Sequence, residues 1–197
     1  MATKINTGIV IWLYGRPCAG KTTIADFMAE KLINADYQVV TLDGDELRKG
    51  MNADLGFTPE DRNENIRRTS ELAKVLASKG HIVICSLVTP SRLLRNVIRS
   101  IIPSARLMLI YVDTSLEDCI KRDVKGHYQK AFDGEMENFT GINAPFEEPL
   151  ASDPDLIVHT NKQSVNQSSA IILKLFKQHL INHNTTTDEE KVYSMGD

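Results

Sequence analysis

The chain has 197 residues, 42% of them apolar, and 23 lysines and arginines against 26 aspartates and glutamates give a formal net charge of -3. That length supports one sizeable core rather than two full domains, and the slightly acidic balance excludes the overall basic footprint of a nucleic-acid polymer binder. Cys18, Cys85 and Cys119 form no C-x-x-C pair, which excludes a disulfide framework or a zinc ribbon and fits a reducing compartment; the apolar stretch near the N-terminus is too short to span a bilayer, so no membrane partner and a cytoplasmic location are expected.

In chain order, residues 9–14 are a short β-branched and aromatic run that reads as a strand. It leads into Gly15, Arg16, Pro17, Cys18, Ala19, Gly20, Lys21 and Thr22, a match to G-x-x-x-x-G-K-[ST]. A helix-like segment follows from Thr22 and Thr23 to Leu32, with Ile24, Phe27, Met28 and Leu32 on one face. Strand, glycine loop and helix together are the context of a phosphate loop: backbone N–H groups wind round phosphate oxygens, Lys21 reaches the outer phosphates and Thr22 offers a hydroxyl to Mg²⁺.

Residues 38–42 form a second strand that ends on Asp43-Gly44-Asp45. Thr58 and Asp61 make a T-x-x-D cap with Pro59 at the first helical position, and the helix runs through Ile66, Leu72, Ala73, Val75 and Leu76 to Gly80. The nearly continuous apolar run at 81–87 is the mark of a parallel strand covered on both faces, with a helix expected after Pro90. Residues 107–112 give a fourth strand, and Thr114 with Glu117 reads as a capping box opening a short helix to Arg122. From 123 to about 153 the chain is polar and punctuated by Gly126, Gly134, Gly141, Pro145 and Pro149, which predicts a long functional loop, a mobile lid, rather than a core element. Residues 155–160 are a fifth strand, Ser164 and Gln167 cap a last helix, and 181–197 read as a polar, disordered tail beyond a single domain at 1–180. The alternation predicts an α/β fold: a five-stranded, mostly parallel sheet with helices on both faces and ligands at the carboxyl ends of the strands.

That edge gathers the phosphate loop, Asp43, Asp45, Thr89 and Pro90. In an extended segment Asp43 and Asp45 share a face, so one can orient Mg²⁺ through water while the other accepts the proton of an attacking hydroxyl; a D-G-D turn is the plainer reading of the same residues. On a helix Arg62 and Asn65 share a face and can clamp one anion, with Arg48 nearby; Arg67 and Arg68 read as solvated or paired with Glu64 or Glu71. Phe57 and Phe139 lie in polar surroundings and are either a satellite core or a platform for a base. Spacing does not choose between the two.

LDGDELR at 42–48, DLGFTPEDRNENIRR at 54–68, RDVKGHYQKA at 122–131 and NFTGINAPFEEP at 138–149 resemble the signature blocks of adenylyl-sulfate kinases, in a match running over about residues 9–176. Four long blocks in order around a phosphate loop are far more specific than the loop alone. The resemblance implies a P-loop NTPase-type kinase fold that uses ATP and Mg²⁺ to phosphorylate the ribose 3′-hydroxyl of adenylyl sulfate, giving 3′-phosphoadenylyl sulfate and ADP, in a homodimer. It gives Arg48, Arg62 and Asn65 to the phosphosulfate and ribose and sandwiches the acceptor adenine between Phe57 and Phe139. It makes Asp45 the acceptor of the 3′-hydroxyl proton and sets Asp43 beside Thr22 in the magnesium shell, with the reverse assignment also open. Lys125 and Lys130 fall in the lid, where a lysine neutralises phosphate charge, and Arg122 either stacks on the ATP adenine or supports the lid.

Departures from the family pattern cluster near the donor. GLSGSGKS of relatives is GRPCAGKT here: Arg16 adds a charge of unassigned purpose and Pro17 removes an N–H donor, while Thr22 keeps the hydroxyl. A serine near the transferred phosphate is Thr89 within Leu87-Val88-Thr89-Pro90, the family's D-P-K-G is Asp123-Val124-Lys125-Gly126, and one of two adjacent lysines is Gln129. Two other readings stand beside the kinase: a relative acting on another nucleotide, such as a cytidine diphosphate derivative, and a non-catalytic nucleotide-binding module. Phe57, Arg62, Asn65 and Phe139 weigh against the first, and Lys21, Thr22, Asp43 and Asp45 against the second.

Overall fold

The computed structural model describes residues 8–193, with side chains described through residue 181. Strands β1 (Val10–Tyr14), β2 (Val39–Asp43), β3 (Ile82–Leu87), β4 (Leu107–Asp113) and β5 (Leu156–His159) form one sheet in the order β2-β3-β1-β4-β5, and every pairing is parallel. Central β1 is buried along its whole length, which explains why it carries no polar alternation. Its pleat divides the molecule. Ile11 and Leu13 enter a core with Ile24 and Met28 of α1 (Lys21–Asn34) and Ile172 and Phe176 of α7 (Val165–Tyr193). Val10, Trp12 and Tyr14 enter the opposite core with Ile66 and Ala73 of α3 (Pro59–Ser78) and Leu94 and Ile98 of α4 (Arg92–Ile101).

Local signals set most helix starts. The Thr58 hydroxyl accepts the Asp61 N–H at 3.2 Å before Pro59, and Ser164 and Gln167 exchange bonds of 2.8 and 3.2 Å as a reciprocal box. At β4 the predicted box is one residue early. Ser115, not Thr114, caps α5 (Leu116–Arg122), accepting the Asp118 N–H at 3.1 Å, because β4 runs on to Asp113 and turns Thr114 inward, where its hydroxyl donates to the Ala19 carbonyl at 3.3 Å.

Two further expectations are corrected. Asp43 and Asp45 do not share an extended segment: Asp43 ends β2 and caps the short helix α2 (Gly44–Arg48), its carboxylate accepting the Asp45 N–H at 2.9 Å. The glycine-rich segment at 123–153 does contribute to the core. It contains α6 (His127–Phe132), whose Tyr128 is fully buried with Ala131 beside it. The Asp123 carboxylate accepts the Tyr128 and Gln129 N–H groups, each at 3.0 Å, fixing a helix too short to show periodicity. Helix α7 extends to Tyr193, past the boundary at 180 drawn from composition, through a polar run with no glycine or proline to stop it; residues 194–197 of the expected tail lie outside the described residues. Among the described residues no helix is long and apolar enough to cross a membrane.

If α6 belongs to the cooperative core, Tyr128→Ala will destabilise the protein by about 3–5 kcal/mol, the usual cost of deleting a large buried aromatic side chain, measured by urea unfolding. A loss under about 1 kcal/mol would separate α6 from that core.

Candidate active site

The phosphate loop joins β1 to α1 under tight steric control. A Cβ on Gly15 would lie 2.4 Å from the Val112 carbonyl oxygen, and Gly20 caps α1 at φ 95°, a left-handed conformation that costs glycine nothing. Lys21, the first residue of α1, is 8% exposed, and its ammonium donates to the Gly15 and Arg16 carbonyls at 3.1 and 2.7 Å. Burial pushes its pKa down to about 8. The remaining loop carbonyls are engaged by surrounding elements: Tyr128 donates to Pro17 at 3.1 Å, Thr160 to Ala19 at 2.9 Å, and Arg122 to Cys18 and Ala19 at 3.4 and 3.3 Å. The first N–H groups of α1 have no intrahelical acceptor and are left for an anion.

Two arginines are accounted for by this framework. Arg122 also donates to the Thr160 carbonyl at 2.8 Å and to its hydroxyl at 3.0 Å, so it braces the loop against the end of β5. Arg16, without an assigned purpose in the sequence, turns away from the main cavity. It pairs with Glu148 at 2.5 Å and lies 4.6 Å over the Phe146 ring, beside a surface recess formed by 141–146.

A cavity of about 390 Å³ opens at the carboxyl ends of β1, β2 and β3. Pro17, Cys18, Lys21, Thr22 and Thr23 line its donor side; Asp43, Asp45, Arg48, Phe57, Arg62, Asn65, Thr89, Lys125 and Phe139 line the rest. Lys130 is not among them and stands exposed on α6. The Thr22 hydroxyl donates to Asp43 Oδ2 at 2.7 Å and sits 3.3 Å from the Ser86 hydroxyl. These hard oxygens suit Mg²⁺, and because the described residues hold no cluster of three or more His, Cys, Asp or Glu, they suit it in the manner of an ion held by one or two protein groups and substrate phosphates. Asp45, on the same cavity, pairs instead with Lys125 of the 123–153 segment. Burial would raise its carboxyl, but the hydrogen bond and charge of Lys125 outweigh that and hold it below its ordinary value.

The basic edge is sorted by its partners. Arg67 pairs with Glu64 at 2.7 Å, and Arg68 with Asp54 and Glu64 at 2.7 and 2.8 Å, so both are neutralised. Among the described residues neither Arg48 nor Arg62 has an ion-pair partner. They flank the half-exposed Phe57 ring at 4.3 and 5.7 Å and hydrogen-bond loop carbonyls: Arg48 those of Leu55 and Gly56, Arg62 those of Phe57 and Asn138. Burial pushes the pKa of each down, for Arg48 against the nearby charges of Asp61 and Asp45, and for Arg62 with the charge of Arg48 acting in the same direction. Phe139 is largely buried, edge-on to Tyr128 at 4.9 Å, so it is at once a core residue and part of the cavity wall. Sequence reading missed Asn52, which is fully buried and donates to Asn65 Oδ1 at 2.9 Å, leaving the Asn65 amide N–H groups for a ligand. No motif marks it. Thr160 was also missed, although it follows a strand end just as Thr89 does.

A glycine loop between a central parallel strand and its helix, with a hydroxyl–carboxylate pair on one side and unpaired arginines on the other, is the arrangement of a P-loop kinase. Comparison with known proteins narrows the class. The family model described as Adenylylsulphate kinase matches residues 7–159. An adenylyl-sulfate kinase of Bacillus velezensis is 42% identical over 171 residues, covering 87% of this chain and 86% of the relative. A probable adenylyl-sulfate kinase of Aeropyrum pernix is 42% identical over 175 residues, covering 88% and 94%. The solved structure of the Mycobacterium tuberculosis APS kinase in complex with AMPPNP and APS superposes with a TM-score of 0.82 at 36% identity, covering 87% of this chain and 98% of that one. The chain belongs to the adenylylsulphate kinase family.

Lys21 yields a pH prediction. Its charge is present below about pH 8 and is lost as pH rises through that value. A bound polyanion favours the charged form, so ATP affinity in a calorimetric titration is expected to be about tenfold weaker at pH 9 than at pH 7. A flat profile over that range would contradict the buried, titrating lysine.

Proposed function

We propose that this chain transfers the γ-phosphoryl group of ATP to the ribose 3′-hydroxyl of adenylyl sulfate, giving 3′-phosphoadenylyl sulfate and ADP. The observation that carries the reading is the contrast on the basic edge: Arg67 and Arg68 are neutralised, whereas Arg48 and Arg62 flank an exposed aromatic ring without a carboxylate partner. Such a site suits a ligand with a flat base and an adjoining anion, as an adenylyl sulfate has. Asn65, held by Asn52, adds neutral donors for the phosphosulfate or ribose.

On the donor side Lys21 and the N–H groups at the start of α1 offset the charge of the phosphates. Thr22 and Asp43 would hold Mg²⁺, which when bound neutralises phosphate oxygens and orients the polyphosphate. Asp43 is committed to Thr22 and to capping α2, which favours Asp45 as the base. Asp45 accepts the 3′-hydroxyl proton as the ribose oxygen bonds to the γ-phosphorus and the bond to the ADP oxygen breaks. Lys125 is the lid's contribution. While it pairs with Asp45 the carboxylate is a weak base, and movement of the lysine to a phosphate would strengthen the base and neutralise the donor together. The homodimer implied by the family resemblance is part of the same proposal, measurable by light scattering.

An ADP-release assay against a panel of nucleotides tests the acceptor: turnover is expected with adenylyl sulfate and not with cytidine diphosphate derivatives. The reverse result would replace the proposed acceptor, and silence across the panel would favour a binding module. Removing the cation that lowers Asp45 should move the acidic limb of the kcat/KM profile for adenylyl sulfate to higher pH in Lys125→Met. An unmoved limb would dissociate Lys125 from the base.

A further inference from the structure

Thr89 sits in a strained backbone conformation. Its φ is 46°, a left-handed conformation that is unfavourable for an L-residue and most so for a β-branched one. Strain of this kind persists only where the surroundings over-determine it. Here the Val88 carbonyl accepts the Gly15 N–H at 3.2 Å, and the Pro90 carbonyl accepts the Glu147 N–H at 2.7 Å, so both neighbours of Thr89 are pinned. The side chain is pinned as well: Trp12 Nε1, from the middle of β1, donates to Thr89 Oγ1 at 3.1 Å.

That last bond has a fixed direction, because an indole N–H is a donor only. It occupies a lone pair of the Thr89 hydroxyl and leaves the hydroxyl proton to be donated elsewhere. Among the described residues this is the hydrogen bond the hydroxyl makes, although Thr89 is only 1% exposed and lines the cavity with Lys21 and Asp45. Trp12 itself is 0% exposed in a layer that also holds the buried Arg95, and a phenylalanine there could supply packing without a polar atom needing a partner. A buried donor held by a rigid strand and aimed at a strained hydroxyl is preorganisation of the sort that stabilises developing charge.

We propose that Trp12 is a positioning residue for phosphoryl transfer: its indole N–H fixes the Thr89 hydroxyl as a hydrogen-bond donor to the transferring phosphoryl group. This rests on the kinase reading of the cavity. Trp12 forms no bond to substrate and acts through Thr89 alone.

The test compares Trp12→Phe, Thr89→Val, their double variant and Thr89→Ser by kcat, by KM for ATP and by thermal unfolding. Each of the first two is expected to lower kcat by about 10–100-fold with KM nearly unchanged, and the double variant to be no slower than Thr89→Val, since without the hydroxyl there is nothing for Trp12 to hold. Thr89→Ser should retain most of kcat. Multiplying losses in the double variant would reduce Trp12 to a packing role and overturn the proposal. Trp12 is the only tryptophan of the chain, so its emission reads the bond even if Trp12→Phe fails to fold: Thr89→Val should shift it to shorter wavelength and Thr89→Ser should not. Unchanged emission in Thr89→Val also overturns the proposal. Wild-type kcat in Thr89→Val would sink it while the kinase reading stands, whereas no ADP release by the wild type with adenylyl sulfate would sink that reading itself.

Discussion

Burying the charge of Lys21 is the constraint around which the donor half of the protein is built. An ammonium group taken out of water must find oxygens or lose its proton, and the Gly15 and Arg16 carbonyls supply them only if the chain curls back over the start of α1. That curl requires a residue without a Cβ at Gly15 and a left-handed one at Gly20. The curled loop is then held from outside by Tyr128, Arg122 and Thr160, which belong to elements far away in the sequence. The phosphate site is therefore a product of tertiary packing as much as of a motif.

The basic side of the cavity is organised by a different arrangement of charge. Glu64 and Asp54 neutralise the two arginines that point away from the cavity, and the two that face it keep their charge for a ligand while resting on Phe57 and on backbone oxygens. Positive charge without a fixed counter-ion is unfavourable in a partly buried place, so the free protein carries a cost there that an anionic substrate removes. Asp45 and Lys125 close the opposite side with a pair that is internally neutral.

The sheet, its helices and the phosphate loop were legible in the sequence because each rests on local or periodic signals: the buried run of β1, the cap at Thr58, the reciprocal box at Ser164. Helical spacing made Arg62 and Asn65 legible as an anion clamp, whereas nothing in the sequence spacing says that Phe57 and Phe139 join them around one cavity. What stayed hidden shares a physical character. Asn52 and Trp12 act through single hydrogen bonds to residues 13 and 77 positions away, and α6 is too short for a period to register. The one-residue error at Thr114 has a similar origin, because strand length is set by pairing with β5 and not by the capping residues.

Arg16 shows what its substitution into the phosphate loop achieves. Its pair with Glu148 fastens the loop to the far end of the 123–153 segment, where Glu147 is already bound to Pro90 and to Arg92 and Arg95 of α4. At the near end Asp123 is fixed to the first turn of α6, and Tyr128 is sunk in the core. The segment is thus an arch with both feet anchored, and its span is held too, by the Arg62 bond to the Asn138 carbonyl and by Phe139 in the core. A segment already ordered at both ends and in its middle has little chain entropy left to lose when a ligand occupies the cavity it lines. The Arg16–Glu148 pair also makes the phosphate loop and the arch mechanically one piece.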